Sequence, residues 1–441
     1  MDIKELSSVL QQNGVVGAGG AGFPTYAKLD ERAETIILNC AECEPLLRLH
    51  RQLLEEYAKE IVDTFHHIGQ AVGAKELIIG IKKAYRNTIE ALKSVIGDYP
   101  EVRLGLLDEV YPAGDEVVLI YEVTGKVVRP GGIPIETGVA VFNVETVYNA
   151  YRALNEKKPV TDKYVSVVAE VSDPVTVRVP IGTTLDEVVS MAGNVTTKDP
   201  VYFVGGPMMG YIGSGNQPVT KTTNAILVLP SDHYIVNRKR SKSSIDLKRA
   251  AACCCNCSMC TDLCPRNRLG HPIEPHRFMQ AATFKDVQNP DIFINTYFCC
   301  SCGLCEMYSC FQGLSPRTLM TEYKAELKKH GVPVPKVTPK PVGPEREYRK
   351  IPMERLMARL DLVKYNKEAP MDHDEIEVNK VKIMLSQHIG APALAVVKTG
   401  DKVTKGQLIA SPGKGLSVAI HASINGTIKD VTDKYVIIGA R

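Results

Sequence analysis

Along the first 158 residues, patterns of apolar positions typical of β-strands alternate with patterns typical of α-helices. Short apolar runs typical of buried strands occur at 35–39, 76–81, 102–107 and 140–144. Residues 46–74, 84–97 and 116–125 repeat their apolar positions with helical spacing, and a further helix is expected from Glu145. Such alternation predicts a mainly parallel sheet with ligand-binding loops at the carboxyl ends of its strands. The stretches 39–45 and 142–146 lie at such ends.

The rest of the chain changes character several times. Residues 163–236 alternate like a hairpin and then become helical, and a basic run at 237–244 reads as a solvated link. Proline-rich sequence at 331–345 lacks periodicity and predicts a semi-rigid linker, and a short amphipathic helix and a β-rich tail follow it. The predicted units are an α/β domain (1–158), a small β module (163–236), a cysteine-rich domain (245–330), a linker (331–350) and a C-terminal unit (351–441).

Composition excludes several classes of function. The 441 residues carry a net charge of only +3 and no Trp, so neither a basic field nor a base-stacking platform for nucleic acid is expected. We find no run of about 18 apolar residues and no signal peptide at the N-terminus. The sequence therefore predicts a cytoplasmic protein without an integral membrane segment.

Eleven of the 13 cysteines fall within residues 253–310. Dense cysteines in a cytoplasmic chain favour metal binding over a disulfide framework. Only one register of CCCNCSMCTDLCP gives the C-x2-C-x2-C-x3-C-P run that binds a [4Fe–4S] cluster in bacterial ferredoxins. A second run has a longer last gap and Phe311 in place of the proline. The predicted ligands are Cys254, Cys257, Cys260 and Cys264 in the first run, and Cys299, Cys302, Cys305 and Cys310 in the second.

In two-cluster ferredoxins the fourth cysteine of a run binds the other cluster. The alternative, a pair of four-cysteine zinc sites, usually needs two separated C-x2-C pairs, which fits this spacing less well. We expect Cys253, Cys255 and Cys300 to lie beside the clusters without binding iron.

A glycine-rich loop, GVVGAGGAGFPTYAKL, spans residues 14–29. Its glycines Gly17, Gly19, Gly20 and Gly22 allow the backbone to approach a phosphate and donate N–H groups to it, and Lys28 adds a positive charge. A polar amphipathic segment precedes the loop where a Rossmann fold has a strand, so a standard dinucleotide fingerprint is not supported.

Four motifs resemble a known family. GAGGAGFPT, NCAECEP, YPAGDE (111–116) and NVET (143–146) resemble the FMN- and NADH-binding flavoprotein subunit of respiratory complex I. They are still more similar to the C subunit of the Rnf electron-transport complex and to the cobalamin reductases of propanediol utilisation. By this resemblance the flavin is lined by Gly17, Gly19, Gly20, Gly22, Lys28, Asn39, Glu42, Cys43, Gly114, Asn143 and Thr146. Phe23, Glu44 and Glu116 would face NADH.

Some positions depart from the complex I pattern. Ala18, Ala41 and Phe142 replace an arginine, an aspartate and an asparagine, which leaves a donor other than NADH open. Cys40 and Cys43 form a C-x2-C pair, for which a redox disulfide is the alternative to the role of the matched loop.

The later modules extend the resemblance over nearly the whole chain. Residues 163–236, with GGPMMG at 205–210, resemble the soluble-ligand-binding β-grasp (SLBB) module, and Met208 and Met209 either pack within their loop or contact a ligand. The C-terminal β tail resembles the biotinyl/lipoyl-like barrel-sandwich hybrid, without a Met-Lys tip for a covalent cofactor. The fold class is thus multidomain α/β with an FMN domain, a β-grasp module, a two-cluster ferredoxin-like helical domain and a barrel-sandwich. The barrel-sandwich precedes the flavin fold in the Rnf subunit and comes last in the cobalamin reductases, as here.

The resemblance implies an NADH-dependent flavoprotein reductase. Electrons would pass from NADH through FMN and two [4Fe–4S] clusters to cobalamin, with an adenosyltransferase or another cobalamin-handling protein as partner. The resemblance also predicts a location within a bacterial microcompartment, with its shell as a further partner. Two alternatives stay open: an Rnf-like electron-input subunit of a membrane complex, and a cluster-bearing docking scaffold that does not oxidise NADH.

Overall fold

A computed structural model describes residues 1–440. The N-terminal unit contains α1 (Ile3–Gln12), β1 (Thr35–Cys40), α2 (Leu49–Glu56), α3 (Ala58–Val72), β2 (Glu76–Lys82), α4 (Arg86–Ile96), β3 (Val102–Leu107), β4 (Val110–Tyr111), α5 (Glu116–Thr124), β5 (Val139–Asn143) and α6 (Val144–Leu154). Four strands form a parallel sheet in the order β3–β2–β1–β5. The helical pattern at 46–74 divides at Tyr57 into α2 and α3.

Both faces of this sheet are buried. Ile36 and Leu38 of β1 pack into the larger hydrophobic core with α2, α3 and α6, whereas Ile37 packs into a second core with α5. Strands buried on both faces read as continuous apolar runs, which explains why the sequence predicts them well. Since β1 lies between β2 and β5, the chain turns to opposite sides from β1, and a crevice opens at the carboxyl ends of β1 and β5.

The β-grasp unit follows as a six-stranded mixed sheet. Its elements are β6 (Asp162–Ala169), β7 (Val175–Pro180), α7 (Leu185–Ser190), β8 (Pro200–Val204), β9 (Tyr211–Ile212), β10 (Ala225–Pro230) and α8 (Tyr234–Lys239). A later strand, β12 (Met371–Glu375), completes the order β12–β7–β6–β10–β8–β9. α7 begins with a capping box between Thr184 and Glu187.

The cysteine-rich unit consists of short helices around its cysteines. They are α9 (Ser243–Cys253), α10 (Met259–Asp262), α11 (Pro265–Arg268), α12 (Pro275–Phe284), α13 (Asp291–Ile294), α14 (Leu304–Met307) and α15 (Pro316–Lys329). The basic run that leads into this unit is solvated only in part: Asn237, Arg240, Lys242 and Ser244 are exposed, whereas two of its residues bind neighbouring loops. Arg238 donates hydrogen bonds to the carbonyl oxygen of Leu314 (2.7 Å), and Lys239 donates to that of Gly210 (2.7 Å).

The proline-rich segment 331–345 contains no helix or strand, but it lies along the cysteine-rich unit. The N–H of Lys340 donates to the carbonyl of Gly270 (2.8 Å), and the hydroxyl of Tyr297 donates to the carbonyl of Val332 (2.6 Å). Beyond it, β11 (Ile351–Pro352) pairs with β4 and α16 (Met353–Arg359) packs beside it, while β12 pairs with β7. Residues 351–375 therefore complete the sheets of the N-terminal and β-grasp units, which differs from the predicted start of the C-terminal unit at 351.

The C-terminal barrel-sandwich consists of two small sheets. Its strands are β13 (Lys380–Met384), β14 (Leu394–Ala395), β15 (Lys402–Val403), β16 (Leu408–Ser411), β17 (Ile420–His421), β18 (Gly426–Val431) and β19 (Tyr435–Gly439). Sheet orders are β13–β19–β18–β15 and β14–β16–β17. The helices of residues 1–440 include none that is both long and apolar enough to cross a membrane.

Candidate functional site

The crevice between β1 and β5 brings several predicted flavin residues together. Asn143 is the last residue of β5 and Asn39 the last but one of β1, and the two are paired in register. The side chain of Asn39 donates to the carbonyl of Gly114 (3.0 Å), and that of Asn143 accepts from the N–H of Thr146 (3.3 Å) at the start of α6. The two asparagines thus hold the loops that border the crevice.

The glycine-rich loop closes one side of this crevice. The N–H of Ala18 donates to Oγ1 of Thr146 (2.9 Å), which fixes the loop against α6. The next three N–H groups, of Gly19, Gly20 and Ala21, have no hydrogen-bond acceptor among residues 1–440. A Cβ atom on Gly20 would meet no atom within 4 Å. Successive free N–H groups form an anion-binding concavity, so this loop fits the phosphate of FMN.

Gly114 packs so closely that no other residue fits without movement. A Cβ atom there would lie 2.2 Å from the carbonyl oxygen of Ala41 and 2.9 Å from Sγ of Cys43. Its N–H donates to that sulfur (2.6 Å). Burial raises the pKa of the Cys43 thiol to about 12, which keeps the sulfur protonated.

The alternative of a redox disulfide between Cys40 and Cys43 finds no support. Both cysteines are free. Cys40 packs in the core of the N-terminal unit, whereas Cys43 packs against a different hydrophobic cluster that includes Met208 and Tyr111.

Glu42 points away from solvent towards α2. Its carboxylate accepts from the N–H of His50 (2.9 Å) and pairs with Arg51 (3.2 Å). Burial lowers the pKa of His50, so its ring stays neutral near pH 7, and Nε2 lies 2.9 Å from Nδ2 of Asn143. Glu42 therefore orders the residues behind the crevice.

A cavity of about 270 Å³ opens next to the glycine-rich loop. Phe23, Lys28 and Glu116 line it together with apolar residues such as Ile133. Nζ of Lys28 donates to the carbonyl of Val141 (2.8 Å) and to Oε1 of Glu116 (3.2 Å), and lies 5.9 Å from the centre of the Phe23 ring. An aromatic ring beside a cation and a carboxylate suits a nucleotide that needs both stacking and polar contacts.

The third residue expected to face NADH lies elsewhere. Both carboxylate oxygens of Glu44 accept hydrogen bonds from the β-grasp loop, from the N–H of Met208 (2.8 Å) and that of Met209 (3.1 Å). Burial raises the pKa of Glu44 to about 7. The structure thus separates Glu44 from the cavity that Phe23 and Glu116 line.

The predicted cluster ligands form two groups. Cys254, Cys257, Cys260 and Cys310 line one pocket, together with His276 and Phe311; we call this group the outer cluster site. Cys264 lies close enough to Cys299, Cys302 and Cys305 for the charges of their thiolates to interact. We call these four residues the inner cluster site. In each group the fourth cysteine comes from the other run, as in two-cluster ferredoxins.

Burial distinguishes the two cluster sites. Cys302 and Cys305 of the inner site are buried, whereas Cys257 of the outer site is exposed. Among residues 1–440 no three His, Cys, Asp or Glu side chains converge closely enough to hold a single metal ion. Cys253 and Cys255 are exposed beside the outer site.

Two contacts join the inner cluster site to the crevice. The hydroxyl of Tyr111 donates to the carbonyl oxygen of Cys302 (2.6 Å). Arg266, two residues after Cys264, pairs with Asp115 (2.9 Å), which caps α5 beside Gly114. The roles of Tyr111, Asp115 and Arg266 were not expected from the sequence, although the first two lie in the YPAGDE motif and Arg266 follows the Cys-Pro pair.

Comparisons with known proteins match every part of this architecture. Family models match the Nuo51 FMN-binding domain at residues 10–152, the SLBB domain at 164–212, the 4Fe-4S dicluster domain at 253–315 and the RnfC barrel sandwich hybrid domain at 363–441. Cobalamin reductase PduS of Salmonella typhimurium is 40% identical over 98% of this chain and 96% of the relative. Cobalamin reductase PduS of Citrobacter freundii is 37% identical over 99% and 97%.

One solved structure resembles the fold at low identity. It is an NAD+-reducing [NiFe]-hydrogenase in the H2-reduced state, 20% identical, with a TM-score of 0.50. The match covers 74% of this chain and 62% of the hydrogenase chain, so the present chain spans less than two thirds of it. This likeness concerns the fold.

Proposed function

Because the chain belongs to the cobalamin reductase PduS family and is an electron-transfer oxidoreductase with FMN and [4Fe–4S] clusters, we propose that it reduces cobalamin with electrons from NADH. The observation that carries this proposal is the pair of contacts between the crevice and the inner cluster site. Tyr111 at the end of β4 and Asp115 at the start of α5 flank Gly114, and they contact Cys302 and Arg266 of the cysteine-rich unit. A flavin in the crevice would therefore lie next to a cluster.

The donor would bind in the cavity beside the glycine-rich loop. Phe23 offers a ring for stacking, and Lys28 and Glu116 offer charged groups of both signs. When bound, FMN accepts a hydride from NADH and releases its two electrons singly, which is the conversion that one-electron clusters need. No side chain has to act as acid or base; the residues of the crevice bind and orient the cofactor.

Burial sets the order of the clusters in our proposal. The inner cluster site is buried and contacts the crevice, so it receives electrons first. The outer cluster site has an exposed cysteine, Cys257, and the exposed ring of Phe311 beside it. It is therefore the exit, where an acceptor in solution or on a partner protein can approach.

The acceptor follows from the name of the relatives. One NADH gives up two electrons and one proton and becomes NAD+, and each of two cob(II)alamin molecules takes one electron to become cob(I)alamin. A partner that consumes cob(I)alamin, such as an adenosyltransferase, would dock at the outer cluster site. From the resemblance to propanediol-utilisation proteins we also propose a location in a bacterial microcompartment, which fractionation of such compartments would test.

The test is an anaerobic reaction in one cuvette. Purified protein receives NADH and cob(II)alamin, and the absorbances of flavin and cobalamin are followed together. Flavin bleaching followed by cob(I)alamin supports the proposal. Bleaching without cobalamin reduction points to another acceptor, and the membrane complex of an Rnf-like subunit would be tried next. Absence of bleaching would refute NADH as donor and favour the docking scaffold.

A matched pair of variants tests the exit. Cys257→Ala removes an outer-site ligand and is expected to abolish cobalamin reduction while flavin bleaching by NADH continues. Cys253→Ala removes an exposed cysteine four positions earlier that our assignment leaves without iron, so it serves as the control. Equal loss in both variants would contradict the assignment of the outer ligands.

A further inference from the structure

Three units of the molecule meet at the GGPMMG loop of the β-grasp unit. On one side the carboxylate of Glu44, in the loop after β1, accepts hydrogen bonds from the N–H groups of Met208 (2.8 Å) and Met209 (3.1 Å). On the other side Nζ of Lys239 donates to the carbonyls of Met208 (3.1 Å) and Gly210 (2.7 Å). The Glu44 carboxylate thus binds N–H groups of the loop, and the Lys239 ammonium group binds its carbonyl oxygens.

Gly206 of this loop leaves the space that the Glu44 side chain occupies. A Cβ atom on Gly206 would lie 2.1 Å from Cγ of Glu44 and 2.2 Å from Oε2. Any side chain at that position would push the carboxylate away from the two amides. The glycine therefore permits the close approach on which both hydrogen bonds depend.

The same loop touches the inner cluster site. Met208 is fully buried, and its carbonyl oxygen and Cε atom lie 3.4 and 3.5 Å from the position that a Cβ atom of Gly303 would occupy. Gly303 stands between the predicted ligands Cys302 and Cys305. Met208 also shares one hydrophobic cluster with Cys302 and Tyr111. The side chain of Met209, by contrast, is 53% exposed.

From these contacts we propose that Glu44 is a positioning residue for electron transfer, which binds the Met208–Met209 loop and thereby fixes the flavin crevice against the inner cluster site. The β-grasp unit thus binds a segment of the same chain, namely the loop after β1 that carries Glu44. Each carboxylate oxygen of Glu44 accepts a backbone amide of this loop, so in our proposal Glu44 serves the contact between the units and not the nicotinamide nucleotide. The inference rests on the proposed route from the crevice to the inner site.

The experiment uses the full-length protein loaded with FMN and both clusters. Glu44→Gln keeps the shape of the side chain but sets an NH2 group opposite one loop amide, and Gly206→Ala displaces the carboxylate without altering it. Met209→Ala is the matched control, because it shortens an exposed side chain and retains the backbone N–H. Hydrogen–deuterium exchange of residues 206–210 directly reports the contact between Glu44 and the loop, which we call the joint. We expect roughly tenfold faster exchange in the first two variants and no change in the control.

Stopped-flow absorbance separates the two electron-transfer steps. Flavin reduction by NADH should keep its rate and its KM in Glu44→Gln and Gly206→Ala. Transfer from flavin to cluster, started by photoreduction of the flavin without NADH, should slow by about 10- to 100-fold, since small misplacements carry such costs. Photoreduction makes this result independent of whether NADH is the donor.

Two outcomes would overturn the proposal. If Glu44→Gln raises the KM for NADH while exchange at 206–210 and flavin-to-cluster transfer stay as in the parent protein, Glu44 serves the nucleotide. If Gly206→Ala and Glu44→Gln both leave exchange and transfer unchanged, the joint has no positioning role. Exchange over the rest of the chain shows whether each variant is folded.

Discussion

A buried ion pair behind the flavin crevice gives the sharpest stability prediction. Glu145 lies in the first turn of α6, between Asn143 and Thr146, and binds Lys163 on β6 of the β-grasp unit. Glu145 is 2% exposed and Lys163 is 1% exposed, so water reaches neither group. The pair therefore joins the crevice to the neighbouring unit without help from solvent.

Lys163→Met leaves the Glu145 carboxylate buried without its cation. Breaking a buried pair in this way costs about 3–5 kcal/mol of unfolding free energy. Replacing both partners by apolar residues is often close to neutral, because no charge then remains to be desolvated. We expect the double variant Glu145→Leu/Lys163→Met to recover most of the loss.

The single variant should also depend on pH. Burial already raises the pKa of Glu145 in the parent protein, with Lys163 opposing the shift. Without Lys163 the pKa rises further above that of the unfolded chain. The folded state then binds a proton that the unfolded state has lost, so stability falls as pH rises through this range, by up to about 1.4 kcal/mol per pH unit.

Urea unfolding followed by circular dichroism at pH 5, 6, 7 and 8 measures this effect. The single variant should be closest to the parent at pH 5 and weakest at pH 8, and the double variant should show no such slope. Equal stability of single and double variants at pH 8 would refute the argument, because it would mean that the lone carboxylate is not desolvated.

Three further predictions concern the cofactors and their neighbours. Tyr111→Phe removes the hydrogen bond to the Cys302 carbonyl and should cost about 1 kcal/mol, with a changed electron paramagnetic resonance spectrum of the reduced inner cluster; an unchanged spectrum would separate Tyr111 from that cluster. Cys310→Ala should remove the same cluster signal as Cys257→Ala, and loss of the other signal would contradict the crossed assignment. Glu116→Gln should raise the KM for NADH severalfold, roughly as loss of a charged hydrogen bond does, and an unchanged KM would place the donor outside the Lys28 cavity.

Much of the architecture could be read from the sequence. The predicted family, its FMN-binding fold, the SLBB and dicluster domains and the barrel-sandwich are confirmed. The parallel strands were predictable because burial on both faces leaves an uninterrupted apolar run, as in TIILN. The cluster runs were predictable because one short loop must supply three thiolates, which fixes their spacing. The individual flavin and NADH residues stay predictions.

Contacts between distant segments carry no local signal. Glu44 and Met208 are 164 positions apart, and nothing in either motif indicates that one binds the other. The strand MDHDE of β12 has mostly exposed side chains and no alternation, so its pairing with β7 could not be expected. Likewise, the proline-rich segment gives no sign that Gly270 and Tyr297 bind it.

Hydrogen bonds join the barrel-sandwich to the glycine-rich loop of the flavin crevice. Although it comes last here, it packs against the start of the chain: the N–H of Ala419 donates to the carbonyl of Gln11 (3.1 Å), and that of Ile389 donates to the carbonyl of Ala21 in the glycine-rich loop (2.9 Å). Lys221 of the β-grasp unit joins them, since its Nζ donates to the carbonyls of Gly14 (2.7 Å) and Ala419 (3.2 Å). The contact with the glycine-rich loop, rather than the order of modules, is therefore the feature that we expect to matter for flavin binding.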